Sequence, residues 1–143
     1  MKLQKTEIVN MKREIKFRGM GIGIYKWFTG HYTEGNQDYH YITRPDGYVW
    51  QVIPETVGEF TGIKDKNGVE IYEGDIIVWS GTLDGCIFNH VCEVIFDLYQ
   101  WCGWAIYSPQ QKSTIPFGEH GCNPNEVNIV GNVYENKELL KTN

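Results

Sequence analysis

Polar and apolar positions alternate along most of this chain. Glu14-Ile15-Lys16-Phe17-Arg18 opens the pattern and predicts a half-buried strand. Aromatic-rich runs at 24–33 and 38–43 predict two more, joined by the hairpin loop Glu34-Gly35-Asn36-Gln37. Pro45-Asp46-Gly47 is a turn, since proline presets φ and glycine accepts positive φ; residues 48–53 then form a strand closed by Pro54. The sharpest local signal is Asp65-Lys66-Asn67-Gly68, flanked by strand-like 60–63 and 69–72, because Asn-Gly suits a tight hairpin. Glu73-Gly74-Asp75 is a second turn, and Ile76-Ile77-Val78-Trp79 a short core strand.

From Cys86 to Phe96 both faces of the alternation are partly apolar, a pattern suited to a barrel or an oligomer interface. Residues 104–107 and 127–134 complete the strands. The one helix signal is Asn136-Lys137-Glu138-Leu139-Leu140, with Asn136 as its expected cap. Many short strands and almost no helical period predict a mostly β, small, barrel-like domain with a short C-terminal helix. Gly19-x-Gly21-x-Gly23 lacks phosphate-loop spacing and a following helix, so it reads as a connector between the first two strands.

Composition narrows the class. At 143 residues the chain suits one domain that builds its own core, and 41% apolar with 22% charged residues excludes a disordered or collagen-like protein. No apolar run reaches membrane-spanning length. The basic start is followed by no apolar stretch, so it is no signal peptide, and the expected compartment is the cytoplasm. Residues 1–12 read as an extension or arm, with Met11 an alternative start, and 13–143 as a single β domain. The four cysteines are expected to be reduced.

Three segments carry a family resemblance. They are Arg13-Glu14-Ile15-Lys16-Phe17-Arg18-Gly19, the block from Val52 through Glu70-Ile71-Tyr72-Glu73-Gly74-Asp75-Ile76-Ile77, and Val130-Gly131-Asn132-Val133-Tyr134-Glu135-Asn136 with Glu138-Leu139-Leu140. In order and spacing the chain resembles the YopX family, small proteins encoded mainly by phages and prophages of Gram-positive hosts. The resemblance covers roughly residues 11–140. It implies an SH3-like barrel and self-association, and supplies no established reaction or catalytic residue. Lys12 is an insertion, and Lys137 stands where the family commonly has proline. Segments 20–50 and 80–125 match least and are where partner specificity is expected.

Candidate chemistry is thin. His90-x-Cys92 and His120-x-Cys122 are two pairs that together make a candidate zinc set, since zinc takes nitrogen and sulfur ligands and i, i+2 share a strand face. One intervening residue is shorter than usual, and buried cysteine beside surface histidine is the plainer reading, so no cofactor is expected. No nucleophile elbow or thiol-protease signature frames any Cys or His, and the chain is expected not to be an enzyme. Eight aromatics crowd residues 25–50, more than one face of a small core needs.

Charge is uneven. Residues 1–19 carry +4, whereas 67–135 carry −8, within a chain of net −5. The first expectation is therefore a non-enzymatic phage or prophage accessory protein, a homo-oligomer that blocks a basic host protein as counter-defence through Glu70, Glu73 and Asp75. The second is sequestration of a nucleotide-like ligand in an aromatic pocket between subunits. Arg18, Lys26 or Arg44 would meet phosphate, and Trp27, Tyr41 or Trp50 would stack on the base. The third is nucleic-acid binding through the basic N-terminal arm, which the acidic remainder disfavours.

Overall fold

Among the described residues every pair of neighbouring strands is antiparallel, as short alternating segments joined by tight turns favour. The computed structural model describes residues 13–141, so the proposed arm at 1–12 lies outside the described residues. Strands β1 (Phe17–Met20), β2 (Trp27–Glu34), β3 (His40–Thr43), β4 (Val49–Val52), β5 (Gly58–Lys64) and β6 (Glu70–Tyr72) form one sheet in the order β4-β3-β2-β1-β5-β6. Strands β7 (Asp75–Leu83), β8 (Cys86–Asp97), β9 (Gly103–Ser108), β10 (Ser113–Pro116) and β11 (Val127–Asn132) form a second, ordered β10-β9-β8-β7-β11.

The first sheet curls. Beyond β1 the chain meets the end of β4 through a Gly21–Val52 bridge, and the Ile53 amide donates to the Met20 carbonyl at 2.8 Å. The domain is mostly β, as expected, and the curl stops short of a closed barrel, with a single bridge where closure demands a full ladder. Phe28, Ile42 and Val52 are buried inside it, with Trp50 stacked on Phe28 at 4.5 Å between ring centres.

The second core holds Ile77, Cys92, Val94, Ile106, Cys122 and Val127. Ile71, on β6 of the first sheet, is buried in the same cluster and so fastens the two sheets together. The β5–β6 turn does this as well. Asp65 Oδ1 accepts from the Asn67 and Val69 amides at 2.8 and 2.9 Å, Gly68 takes φ +80°, and Asp65 Oδ2 accepts from the Ile129 amide of β11.

The expected elements are present with particular shifts. β1 begins at Phe17, and Gly19 belongs to it, paired with Phe28, instead of to a connector; glycine suits the position because a Cβ would stand 2.9 Å from Val52. β10 lies where the alternation predicts no strand. The C-terminal helix is a single 3-10 turn, Lys137–Leu140, and Asn136 does not cap it. The Asn136 carboxamide instead accepts from the Asn132 amide at 3.2 Å. On β8, Cys92 and Val94 enter the core and Cys86 and Phe96 of the same face are exposed past its ends, while on the opposite face Val91 and Ile95 are half-buried and Ile87 is exposed. Among the described residues no helix is long and apolar enough to cross a membrane.

Candidate functional site

The start of β2 and the β3–β4 turn bring two cations and two indoles to one place. A cleft of about 420 Å³ is lined by Ile24, Lys26, Trp27, Phe28, Thr29, Arg44 and Trp50. Four of the six residues expected to hold a nucleotide-like ligand therefore meet: Lys26, Trp27, Arg44 and Trp50. No carboxylate, histidine or cysteine lines this cleft. Arg44 Nη2 is 2.7 Å from Asp46 Oδ2, with both side chains well exposed, so an incoming anion competes only with a weak surface pair. Thr29 and Arg44 also border a neighbouring cleft of about 570 Å³ that contains Glu14, Lys16, His31 and Glu70.

Two expected residues are elsewhere. Arg18 lies behind the cleft. Its side chain is 13% exposed, Nη2 is 2.7 Å from Asp75 Oδ1, and the guanidinium sits over Trp27 at 4.6 Å and over Tyr72 at 4.9 Å. The approach to Asp75 is an ion pair off hydrogen-bond geometry, and Arg18 Nε is buried with no partner. A charge so committed is not offered to a phosphate. Tyr41 sits on β3 opposite Thr33 and Gln51 and does not border the cleft.

Trp27 joins the cleft to this buried network. Its Nε1–H donates to Glu135 Oε1 at 2.6 Å, the Asn132 carboxamide donates to the same oxygen at 3.0 Å, and the Tyr134 ring lies 6.0 Å away. Those two donors hold the Glu135 carboxyl below its ordinary range. Asn132 Oδ1 in turn accepts from the Tyr134 and Glu135 amides, which bends the chain as it leaves β11. Arg18, Gly74-Asp75 and Asn132-x-Tyr134-Glu135, drawn from all three resemblance-bearing segments, thus converge on a structural knot.

Within the acidic trio expected to meet a partner, two carboxylates are tied up inside the fold. Asp75 is 1% exposed, accepts from the Tyr72 amide at 2.8 Å and faces Arg18. Burial pushes its carboxyl upward against the pull of Arg18. Glu70 is bound to Lys16 Nζ at 2.6 Å and draws the lysine upward. Glu73 is half-buried, and desolvation followed by repulsion from Glu59 and Glu93 raises its carboxyl. Asp75 and Glu70 are thus committed within the fold, and Glu73 is half-buried beside other carboxylates.

The two His-Cys pairs are not assembled either. Cys92 and Cys122 share the second core, where burial pushes the Cys92 thiol up to about 11 and Cys122 higher still. His90 shares the Cys92 face of β8 but is half-buried outside the core, with Nε2 3.1 Å from the Gln111 carboxamide, and His120 is exposed on a loop. Among the described residues no group of three or more His, Cys, Asp or Glu side chains is placed to hold a metal ion.

Sequence reasoning missed Ile24, Phe28 and Thr29 as cleft residues, although the aromatic crowding at 25–50 had marked the region. It also missed the role of Asn132, Tyr134 and Glu135, whose only signal was membership of a resemblance-bearing segment.

The family model described as YopX protein matches residues 4–141. No curated protein matches the chain. The solved structure titled "Crystal structure of protein EF1440 from Enterococcus faecalis" is similar, with 21% identity, 91% of this chain and 100% of that chain covered, and a TM-score of 0.48. Because the family match runs over nearly its whole length, the chain belongs to the YopX family.

Proposed function

We propose that this protein is a non-enzymatic binding module that holds a nucleotide-like ligand in the Trp27–Trp50 cleft. The observation that carries the reading is the meeting of Lys26, Trp27, Arg44 and Trp50 around one cavity with no carboxylate in its lining. Indole faces suit a base and the two cations suit phosphate oxygens, with arginine able to bind them through paired donors. The volume lies within the range of small-molecule sites.

The lining supports binding in preference to turnover. It offers no histidine, carboxylate or thiol to move a proton near neutral pH. In the phage or prophage setting that the family resemblance implies, such a module acts by withdrawing a small signal from solution. Blocking of a basic host protein through Glu70, Glu73 and Asp75 is the weaker reading, given the burial of Asp75 and the Glu70–Lys16 pair.

Calorimetric titration with AMP, GMP and inorganic phosphate tests this. Saturable binding of a mononucleotide, stronger than phosphate alone and lost in Lys26→Gln/Arg44→Gln, is expected. Absence of nucleotide binding, or binding indifferent to that double change, overturns it.

A further inference from the structure

β2 changes partners halfway along. β1 flanks it over residues 27–30, and β3 flanks its other side over residues 31–34. Among the described residues, each half of β2 therefore keeps one edge with no strand beside it. Along the first half, the chain has left β3 at Arg44 for the turn that its amide closes on the Tyr48 carbonyl. Along the second half, the chain ahead of β1 has turned away to β5. There the Lys16 carbonyl accepts from the Phe60 amide at 2.8 Å, and Arg13 pairs with Glu59.

The two clefts occupy these two edges. Successive side chains of a strand point to opposite faces, so Lys26, Trp27, Phe28 and Thr29 line one cavity in a row only where it lies against the strand's edge. The cleft of about 570 Å³ likewise takes Thr29, Gly30 and His31 in a row. Thr29 and Arg44 border both, so the clefts are two ends of one trough that meet at Arg44. An unflanked strand edge presents backbone N–H and C=O groups, which gives the first end the acceptors its charged side chains lack. The two ends differ in chemistry. The second holds exposed His31, with Glu14 Oε1 and Glu70 Oε2 at 3.4 and 2.6 Å from Lys16 Nζ. Carboxylates repel phosphate but accept from ribose hydroxyls. A mononucleotide with its phosphate at Arg44 reaches only one end.

We infer that the trough holds a free ribodinucleotide, with one base among the indoles, the bridging phosphate at Arg44 and the second nucleoside at His31 and Glu14. The inference rests on the nucleotide reading of the Trp27–Trp50 cleft and extends it past Arg44. Trp27 and His31 lie on one face of β2, four residues and so about 13 Å apart. Stacked bases are separated by about 3.4 Å. The two bases are therefore splayed to either side of Arg44, the way aromatic side chains receive unpaired nucleotides. Lys26 is left to meet a 5′-phosphate at the first end. A net charge of −5 and the carboxylates of the second end oppose a longer strand.

Calorimetric titration of the full chain with AMP, pApA, its deoxy counterpart pdApdA and hexa-adenylate tests this. pApA is expected to bind roughly tenfold or more tightly than AMP, with most of that gain missing from pdApdA. Glu14→Gln/His31→Ala changes two exposed side chains outside the first cleft, and should remove the gain while leaving AMP affinity as it was. AMP binding with pApA no tighter overturns this inference and leaves the nucleotide reading standing. So does a gain that pdApdA shares in full or that survives the double change. Binding of neither AMP nor pApA overturns both. Hexa-adenylate binding more tightly than pApA overturns the free dinucleotide and assigns the trough to an RNA strand.

Discussion

Arg18 on β1 and Asp75 at the head of β7 form an ion pair, Nη2 to Oδ1 at 2.7 Å, that crosses between the two sheets. Both side chains are largely buried, so neither has water to fall back on. Removal of one partner leaves a desolvated charge and is expected to cost about 3–5 kcal/mol in Asp75→Leu or Arg18→Met. The double replacement Arg18→Met/Asp75→Leu should cost far less than the sum of its parts. Urea unfolding of the four proteins measures the difference.

Glu73 gives the opposite sign. It is half-buried and faces Glu59 and Glu93, and both burial and repulsion raise its carboxyl above the ordinary glutamate range. The folded state therefore binds this proton more tightly than the unfolded chain. The unfavourable charge is fully present above the folded pKa and is relieved as pH falls through the folded value to the unfolded one. Glu73→Gln should raise Tm at neutral pH, with the advantage shrinking to nothing once pH drops below the ordinary glutamate range. Thermal melts across that interval decide it, and an advantage that grows on acidification would contradict the account.

Asp65 is both a turn former and a tie between sheets. Its two oxygens accept from three backbone amides, those of Asn67, Val69 and Ile129, while the residue is 5% exposed. Asp65→Ala orphans all three donors and should lower stability by about 3 kcal/mol. Asp65→Asn keeps one accepting oxygen and should fall between. Hydrogen exchange should show the Ile129 amide opening in both variants, because an asparagine cannot accept at the turn and at β11 with equal strength.

The same turn shows what could be read from sequence. Asp65-Lys66-Asn67-Gly68 announces a hairpin through local chemistry alone, and the hairpin forms there. What no local pattern announces is that the second oxygen of Asp65 reaches β11, 64 residues onward. The candidate site divides along the same line. Lys26, Trp27, Arg44 and Trp50 could be chosen because cations and indoles crowd one short segment and the β3–β4 turn folds that segment back on itself. Arg18 belongs to the same composition, but its fate depends on Asp75, which is remote in sequence. Charge totals misled in the same way: the −8 of residues 67–135 counts Asp75 and Glu70 as surface, whereas one is buried against Arg18 and the other bound to Lys16.

Thiol reactivity should split the cysteines into two classes. Cys86 and Cys102 are exposed, whereas Cys92 and Cys122 are buried with their thiols pushed upward by desolvation. The thiolate is the reactive form, so burial suppresses both access and ionisation. With an aromatic disulfide reagent near neutral pH, the first two should react quickly and the second two only after unfolding. Rapid reaction of all four in the folded protein would mean that the second core opens readily.

Substitutions at the cleft should separate folding from binding, and the residue chosen decides which is seen. Trp27 lines the cavity but also donates to Glu135 and carries the Arg18 guanidinium on its ring. Trp27→Phe keeps an aromatic ring and loses the Nε1–H bond, so it should cost about 1 kcal/mol of stability and loosen the knot beneath the cleft. A loss of ligand binding in that variant would be ambiguous. Arg44 is different: it projects into solvent and pairs only with Asp46, so Arg44→Gln should change stability by less than about 0.5 kcal/mol. If the cleft holds a phosphate-bearing ligand, Arg44→Gln should nevertheless weaken it by roughly tenfold or more, the scale of a lost charge-assisted hydrogen bond. The same change should flatten the salt dependence of binding. Unfolding curves and ligand titrations on the two variants together distinguish a residue that builds the cleft from one that serves it.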